Sequence, residues 1–170
     1  LPFGGVQHID FDLNNDAWLG SGFSGLIKFD GMNFELFNGN QGLINNMVNG
    51  IAIDNSNTKW VGTSTGISVF DENNNWINNF TNMYLLSPPD TINPVINLAF
   101  DSRNLLWAGI YVDYLLDGGV AMYNGYSWVD FNMSDGLIGP VITDLFIDET
   151  DQVWITTSSG ISKLSGVPVN

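Results

Sequence analysis

The chain has 170 residues, of which 44% are hydrophobic and 13% charged, a composition typical of one compact packed unit and not of a disordered chain. Eighteen acidic residues against four basic ones give a formal net charge of −14, so we expect neither a nucleic acid partner nor insertion into a membrane. The absence of cysteine excludes a disulfide framework and a cysteine-based zinc or redox site.

Four aspartates are each followed, six residues later, by a tryptophan. The pairs are Asp12 and Trp18, Asp54 and Trp60, Asp101 and Trp107, and Asp148 and Trp154, and successive pairs are 42, 47 and 47 residues apart. Self-similarity at a period in the forties, combined with short strands, indicates β-propeller blades before helical arrays. The fold class that follows is all-β, with four consecutive repeats of four-stranded antiparallel blades.

The predicted strands are runs of three to six residues rich in β-branched and aromatic side chains, bounded by Gly, Asn and Asp. In chain order they cover residues 6–11, 18–20, 25–29 and 34–37, then 48–53, 60–63, 66–70 and 76–80, then 95–100, 107–109, 119–123 and 128–131. The fourth repeat offers a first, second and third strand but no aromatic segment for an outer one. An exposed edge is a state that natural sheets avoid, and propellers have roughly four to eight blades. We therefore expect part of a larger propeller, with a complete four-bladed ring as the alternative.

The repeats lie at about 6–46, 47–93, 94–139 and 140–164, so residues 1–164 form the blades and 165–170 form a C-terminal linker. The turn after each first strand explains the repeated aspartate, because its carboxylate can accept hydrogen bonds from backbone N–H groups just ahead of it. Residues that tolerate a left-handed backbone follow three positions later: Asn15, Asn57, Asn104 and Asp151. Each repeat tryptophan is predicted to be a core ring packed between neighbouring blades.

The pattern Gly-Leu-x-x-Asn-x-Val-x-x-Ile-x-Ile-Asp at residues 42–54, followed by Trp-Val-Gly-Thr-Ser-Thr-Gly-Ile at 60–67 and Phe-Asp at 70–71, resembles the two-component regulator propeller repeat. The resemblance covers nearly the whole chain. It departs from the pattern at Thr156, which replaces the usual Gly, and in the lengthened segment after Gly109. It implies an exported protein, periplasmic, secreted or at the cell surface, of the kind found in the Bacteroidetes and in periplasmic sensor regions of hybrid histidine kinases.

Two insertions flank the third repeat. One lies between its second and third strands and the other just before its first strand, and in an antiparallel blade these two kinds of connection emerge on the same face. The predicted ligand-binding residues in them are Tyr84, Leu85, Leu86, Tyr111, Asp113, Tyr114 and Leu115. Apolar loop surfaces are common binding sites on rigid scaffolds. The alternative is that the two insertions pack on each other as a local lid.

The sequence also contains candidates for a metal site and for a catalytic set. Asp10, Asp12, Asn14 and Asp16 alternate like calcium-loop ligands, but the following Gly and distal Glu of an EF-hand are missing, so an acidic turn competes with a calcium site. His8 is the one histidine, and it would have to anchor any Ser-His-Asp set.

The sequence thus predicts a non-catalytic exported propeller module that needs no cofactor and binds a protein or a glycan through the inserted loops, with further blades of the same polypeptide as neighbours. Two alternatives stay open: the ligand-sensing region of a hybrid two-component receptor, and a fragment of a propeller lyase or polysaccharide hydrolase.

Overall fold

A computed structural model describes residues 5–84, 92–112 and 117–164. Blade one contains β1 (Val6–Phe11), β2 (Ala17–Ser21), β3 (Leu26–Phe29) and β4 (Phe34–Phe37). Blade two contains β5 (Val48–Ile53), β6 (Lys59–Thr63), β7 (Gly66–Phe70) and β8 (Trp76–Phe80). Blade three contains β9 (Val95–Phe100), β10 (Leu106–Val112), β11 (Asp117–Tyr123) and β12 (Trp128–Phe131). Blade four contains β13 (Ile142–Ile147), β14 (Val153–Thr157) and β15 (Gly160–Leu164).

Every blade is an antiparallel meander in which consecutive strands pair, and the fourth blade has three strands in the described part of the chain. Short 3-10 turns, Gly39–Gln41 and Met133–Asp135, follow the outer strands of blades one and three. The predicted all-β propeller of four consecutive repeats is therefore confirmed. None of the described helical segments is long enough to cross a bilayer.

The blades stack face to face through their first strands, β1 on β5, β5 on β9, and β9 on β13. Three hydrophobic clusters fill the spaces between successive blades. The first is built around Trp18, Val48 and Ile51, the second around Ile67, Leu98 and Leu106, and the third around Trp107, Ile142 and Leu145. The core therefore lies between the sheets, and each blade depends on its neighbours for burial of its faces.

The turns between first and second strands have the predicted geometry. In blade two, Oδ1 of Asp54 accepts hydrogen bonds from the backbone N–H groups of Ser56 at 2.8 Å and Thr58 at 2.9 Å. Asn57 in the same turn has φ 63°, and the equivalent residues of the other three turns also have positive φ. Asn tolerates this left-handed backbone better than most side chains, so the turn chemistry fixes the hairpin.

The turns are also linked from blade to blade. The side chain of Asn57 accepts a hydrogen bond from Leu13 N–H at 2.8 Å, and that of Asn104 accepts one from Asn55 N–H at 3.3 Å. In the next pair, Asp151 accepts from the backbone N–H of Ser102 at 2.9 Å. One position of the turn, occupied by Asn or Asp, thus serves both the turn and the contact between blades.

The four repeat tryptophans occupy equivalent positions on their second strands, but their burial differs. Trp18 and Trp107 are fully buried, as predicted. Trp60 is only partly buried, and Trp154 is 37% exposed, so the prediction of buried core rings is wrong for Trp154. The reason is that its ring lies on the outward face of blade four, where no described blade covers it.

Candidate functional site

The two insertions predicted to bind a ligand are described only at their edges. Leu85, Leu86, Asp113, Tyr114 and Leu115 lie outside the described residues, whereas Tyr84 and Tyr111 are described. The expected convergence on blade three holds for these two tyrosines. The Tyr84 hydroxyl donates to the backbone oxygen of Gly118 at 3.0 Å, and Gly118 is the cross-strand partner of Tyr111.

Tyr84 is buried, with 4% of its surface exposed, so the expectation that its side chain is partly exposed is wrong. Its backbone is fixed by the buried Asn93, whose Oδ1 accepts from the N–H groups of Met83 and Tyr84 at 2.6 Å each. Burial, followed by the negative charges of Asp117 and other acidic neighbours, raises the pKa of the Tyr84 phenol to about 12. The side chain therefore packs as an internal anchor of blade three, and this part of the insertion follows the local-lid alternative.

Tyr111 is half-buried and lines an open cleft of about 520 Å³ on the face of the propeller from which the two insertions emerge. We call it the axial cleft, because it lies at the starts of the first strands of three successive blades. Its lining residues are Gln7, Met47, Asn49, Ser64, Pro94, Ile96, Tyr111 and Val112. Sequence reasoning identified Tyr111 but missed the other seven, of which Gln7, Met47, Asn49 and Ser64 come from blades one and two and approach Tyr111 only when the blades stack.

The axial cleft combines apolar and uncharged polar groups. The Asn49 side-chain N–H group donates to the backbone oxygen of Val95 at 2.8 Å and to Oγ of Ser64 at 3.4 Å, so its amide is held in place across two blades. Met47 and Gln7 are exposed at the rim. None of the described lining residues is charged. Such a surface suits an uncharged ligand that offers both apolar area and hydrogen-bonding groups.

A second cavity, of about 400 Å³, opens on the opposite face beside the turns that contain Asp54 and Asn104. We call it the Trp60 cavity. Four aromatic rings line it: Trp60, Phe80, Phe100 and Tyr123. The Trp60 ring centroid lies 5.8 Å from that of Phe80, 6.1 Å from that of Phe100 and 5.6 Å from that of Tyr123. No sequence motif distinguished this site, since Trp60 occupies an ordinary repeat position.

The acidic residues considered for calcium are engaged separately. Oδ1 of Asp12 accepts from two backbone N–H groups of its own turn, Asp16 pairs with Lys28 at 2.8 Å, and Asp10 accepts from Ile53 N–H at 3.2 Å. Burial raises the pKa of Asp10, although backbone hydrogen bonds oppose this rise. Among the described residues no group of three or more acidic or histidine side chains is placed to hold a metal ion. These residues therefore do not converge as a calcium ligand set.

His8 lies on β1, half-buried, beside Val6, Gln7 and Ile9 at a shallow surface pocket. Within the described part of the chain it makes no hydrogen bond to a serine or a carboxylate. No serine and carboxylate of the described residues are therefore hydrogen-bonded to His8 in the way a Ser-His-Asp set requires.

No protein-family model matches the chain, and no curated protein matches it in sequence. Solved structures match its fold. The extracellular domain of a protein assigned to the hybrid two-component systems of B. thetaiotaomicron superposes with a TM-score of 0.75 at 19% identity, covering 93% of this chain and 21% of that one. The extracellular domain of a protein assigned to the one-component systems of the same organism gives 0.72 at 20% identity, covering 98% and 22%.

An enzyme shares the fold as well. A catalytically inactive virginiamycin B lyase from Staphylococcus aureus, in complex with quinupristin, superposes with a TM-score of 0.68 at 14% identity, covering 100% of this chain and 59% of the lyase. The chain spans about a fifth of the length of the two extracellular domains and 59% of the lyase. At these identities the similarity shows a common propeller fold, and the function has to be argued from the site.

Proposed function

We propose that this chain is a non-catalytic binding module of an exported propeller and that it takes a glycan or a protein segment into the axial cleft. The observation that carries the proposal is the cleft itself, which three blades build from the Tyr111 ring, apolar side chains and the Asn49 amide, which is held by two hydrogen bonds. A volume of about 520 Å³ falls in the range of small-ligand sites, which are roughly 300–1,000 Å³. Its uncharged lining favours a neutral sugar over an ionic ligand.

The test is binding to an array of neutral oligosaccharides and unstructured peptides, followed by calorimetry with the best binder. Met47→Ala and Gln7→Ala are expected to weaken binding about tenfold, because each removes a rim contact without opening the core. Met32→Ala is the matched control, since Met32 is an exposed methionine in the turn between β3 and β4, on the face opposite the axial cleft. Unchanged affinity of Met47→Ala and Gln7→Ala would contradict the cleft as the binding site, and binding of peptides alone would select the protein ligand.

Two comparisons bear on the setting. The fold shared with the two extracellular domains supports an exported location for this chain. It also supports the alternative that the chain is the ligand-sensing region of a hybrid two-component receptor. We propose that the repeats belong with the two-component regulator propeller repeats, on the motif at residues 42–54 and this shared fold. A sensory role requires a transmembrane helix and a kinase in the same polypeptide, which sequencing of the native gene would show.

The fold shared with the lyase supports the remaining alternative, that the chain is a fragment of a propeller lyase or polysaccharide hydrolase. It is the weaker one, because His8 has neither a serine nor a carboxylate hydrogen-bonded to it in the described residues. A histidine or paired carboxylates contributed by other blades would be needed for catalysis.

We also propose that further blades of the same polypeptide cover the two outward faces of this arc. On the outward face of blade one Ile9 is 53% exposed, whereas its equivalent Ile51 is buried against blade one. On the outward face of blade four Ile161 is 64% exposed, whereas its equivalent Val120 is buried. A native polypeptide mass well above 18.7 kDa is expected, and a native mass equal to it would overturn this proposal.

A further inference from the structure

All four basic side chains of the sequence lie beside Asp–Trp pairs of the repeat. In blade one, Nζ of Lys28 lies 5.9 Å from the ring centroid of Trp18, and Nζ of Lys59, which comes from blade two, lies 5.2 Å from it. In blade four, Nζ of Lys163 lies 5.0 Å from the ring centroid of Trp154. These are cation–π distances. Two of the four tryptophans are thus covered by an ammonium group of the chain itself.

Blade three uses an arginine in the same place. Nε and Nη2 of Arg103 donate to Oδ2 of Asp101 at 3.0 Å and 2.6 Å, and the Arg103 side chain lines a cavity of about 220 Å³ together with Trp107. The oxygen that receives the guanidinium is also the one that faces the indole N–H group of Trp107, at 3.5 Å. A cation therefore accompanies the Asp–Trp pair in blades one, three and four.

Blade two lacks such a cation. Val69 pairs with Trp60 where Lys28 pairs with Trp18, and Ser56 stands at the turn position that Arg103 has in blade three. The residue that blade three contributes at the position of Lys59 is Leu106. Because neither an ammonium nor a guanidinium group fills the space, the Trp60 cavity of about 400 Å³ remains there.

In blades one to three the exposure of the pair agrees with this comparison, whereas in blade four Asp148 and Trp154 are partly exposed because no described blade packs on that face. Asp12 and Trp18 are buried, and so are Asp101 and Trp107. Asp54 and Trp60 are both partly exposed. Oδ2 of Asp54 accepts one long hydrogen bond, 3.4 Å, from Trp60 Nε1, so this oxygen has capacity for a further donor.

We infer that the Trp60 cavity binds an alkylammonium group supplied by a ligand, which takes the place that lysine and arginine side chains of the chain take in the other blades. Trp60, Phe100 and Tyr123 contribute aromatic rings to the lining, to which a cation is attracted, and Asp54 contributes a carboxylate. The net charge of −14 raises the local concentration of cations around the protein. The group belongs either to a small quaternary ammonium compound or to a lysine side chain of a peptide.

This site is separate from the axial cleft. The Trp60 cavity opens beside the turns that follow the first and third strands, whereas the axial cleft lies at the starts of the first strands. The two cavities share no lining residue, so a substitution in the lining of one leaves the lining of the other unchanged.

The test is titration of the chain with choline and with N-acetyl-lysine methylamide, followed by tryptophan fluorescence and calorimetry. We expect a dissociation constant on the order of 1 mM for at least one probe, as for a single partly exposed cation site. Preference for choline identifies a small quaternary ammonium ligand, and preference for the lysine derivative identifies a peptide. The neutral isostere of choline, 3,3-dimethylbutan-1-ol, is expected to bind at least about tenfold more weakly.

Two variants locate the site. Asp54→Asn, which keeps the shape of the side chain, is expected to weaken binding of the cation about tenfold. Val69→Lys places an ammonium group where Lys28 lies over Trp18 and is expected to abolish binding by filling the cavity. Asp148→Asn is the matched control, because it makes the same change in a blade whose tryptophan is already covered by Lys163.

Three results would overturn the inference: no binding of either cation at tens of millimolar, equal binding of the neutral isostere, or full affinity in both Asp54→Asn and Val69→Lys.

Discussion

The indole Nε1 of Trp154 donates a 2.8 Å hydrogen bond to Oδ2 of Asp148, and the same bond recurs at 3.1 to 3.5 Å in the other three repeats. Oδ1 of Asp148 meanwhile accepts from the turn N–H groups of Thr150 and Gln152. One carboxylate therefore organises the turn with one oxygen and orients the tryptophan with the other. The spacing of six residues between the two follows from this double role.

Stability should fall in acid partly through Asp148. Hydrogen bonds from the Trp154 indole and the Thr150 hydroxyl lower the pKa of this carboxyl, against a smaller effect of burial. The folded-state pKa of Asp148 lies below the unfolded value of about 3.9, so in acid the unfolded state binds more protons at this carboxyl than the folded state does. The stabilisation that Asp148 provides above about pH 4 is therefore lost as the pH falls through the folded-state pKa. We expect Asp148→Asn to lower the melting temperature at pH 7 and the difference from wild type to narrow below about pH 4. Glu149→Gln, at a neighbouring exposed carboxylate, is the control, and a constant difference across the pH range would contradict the assignment.

Trp107→Ala and Trp154→Ala should differ sharply in cost. Trp107 is fully buried between blades three and four, so its removal should cost about 3–5 kcal/mol of unfolding free energy. Trp154 is 37% exposed, and its loss should cost about 1–2 kcal/mol in this chain. Urea unfolding of both variants measures the difference. Equal costs would mean that burial between blades is not the main source of stability of the repeat tryptophan.

Asn57 tests the link between neighbouring turns. Asn57→Gly keeps the left-handed backbone but removes the acceptor for Leu13 N–H, and we expect it to cost about 1 kcal/mol. Asn57→Ala also forces an L side chain into φ 63°, so its cost should reach about 2 kcal/mol. Asn15→Gly is the control, since Asn15 has the same backbone, is exposed and accepts no hydrogen bond from another blade among the described residues. Chemical denaturation that ranks Asn57→Gly as the more damaging change would disprove the scheme.

Gly119 tests the anchor role of Tyr84. A Cβ at Gly119 would collide with the Tyr84 ring and with the backbone oxygen of Phe131, so Gly119→Ala should lower the melting temperature markedly. Tyr84→Phe should cost about 1 kcal/mol, because it leaves the Gly118 oxygen without its hydroxyl donor. Gly39→Ala, where a Cβ meets open space, should change stability by no more than about 0.5 kcal/mol. A neutral Gly119→Ala would show that Tyr84 does not pack tightly on β11.

Calcium should not change the melting temperature. Asp10, Asp12 and Asp16 each bind a different partner of the protein, so forming a calcium site would require breaking three existing interactions. Thermal melts with millimolar calcium and with a chelator measure this. A rise in melting temperature that disappears in Asp10→Ala would establish the calcium site after all.

The sequence by itself determined the fold class, because its main signals are a local turn pattern and the recurrence of that pattern every 42 to 47 residues. The Asp–Trp spacing reports a turn closed within five residues, and the left-handed position of Asn57 and its equivalents can be read from residue type alone. Strand positions follow from short runs of β-branched and aromatic residues between such turns. The same reasoning placed Tyr84 and Tyr111 near each other, because antiparallel strands alternate the faces on which connections emerge.

Only the tertiary structure decided which of these residues are exposed and which cavities exist. Trp60 and Trp18 are equivalent in the repeat, yet Trp18 is covered by Lys59, which comes from the next blade, 41 residues further along the chain. Trp60 instead faces a cavity. Tyr84 and Tyr111 both lie in the insertions that flank blade three, but only Tyr84 is buried, with its hydroxyl donating to the backbone oxygen of the distant Gly118. Burial depends on contacts between blades, and no local pattern contains the identity of the side chain that packs opposite.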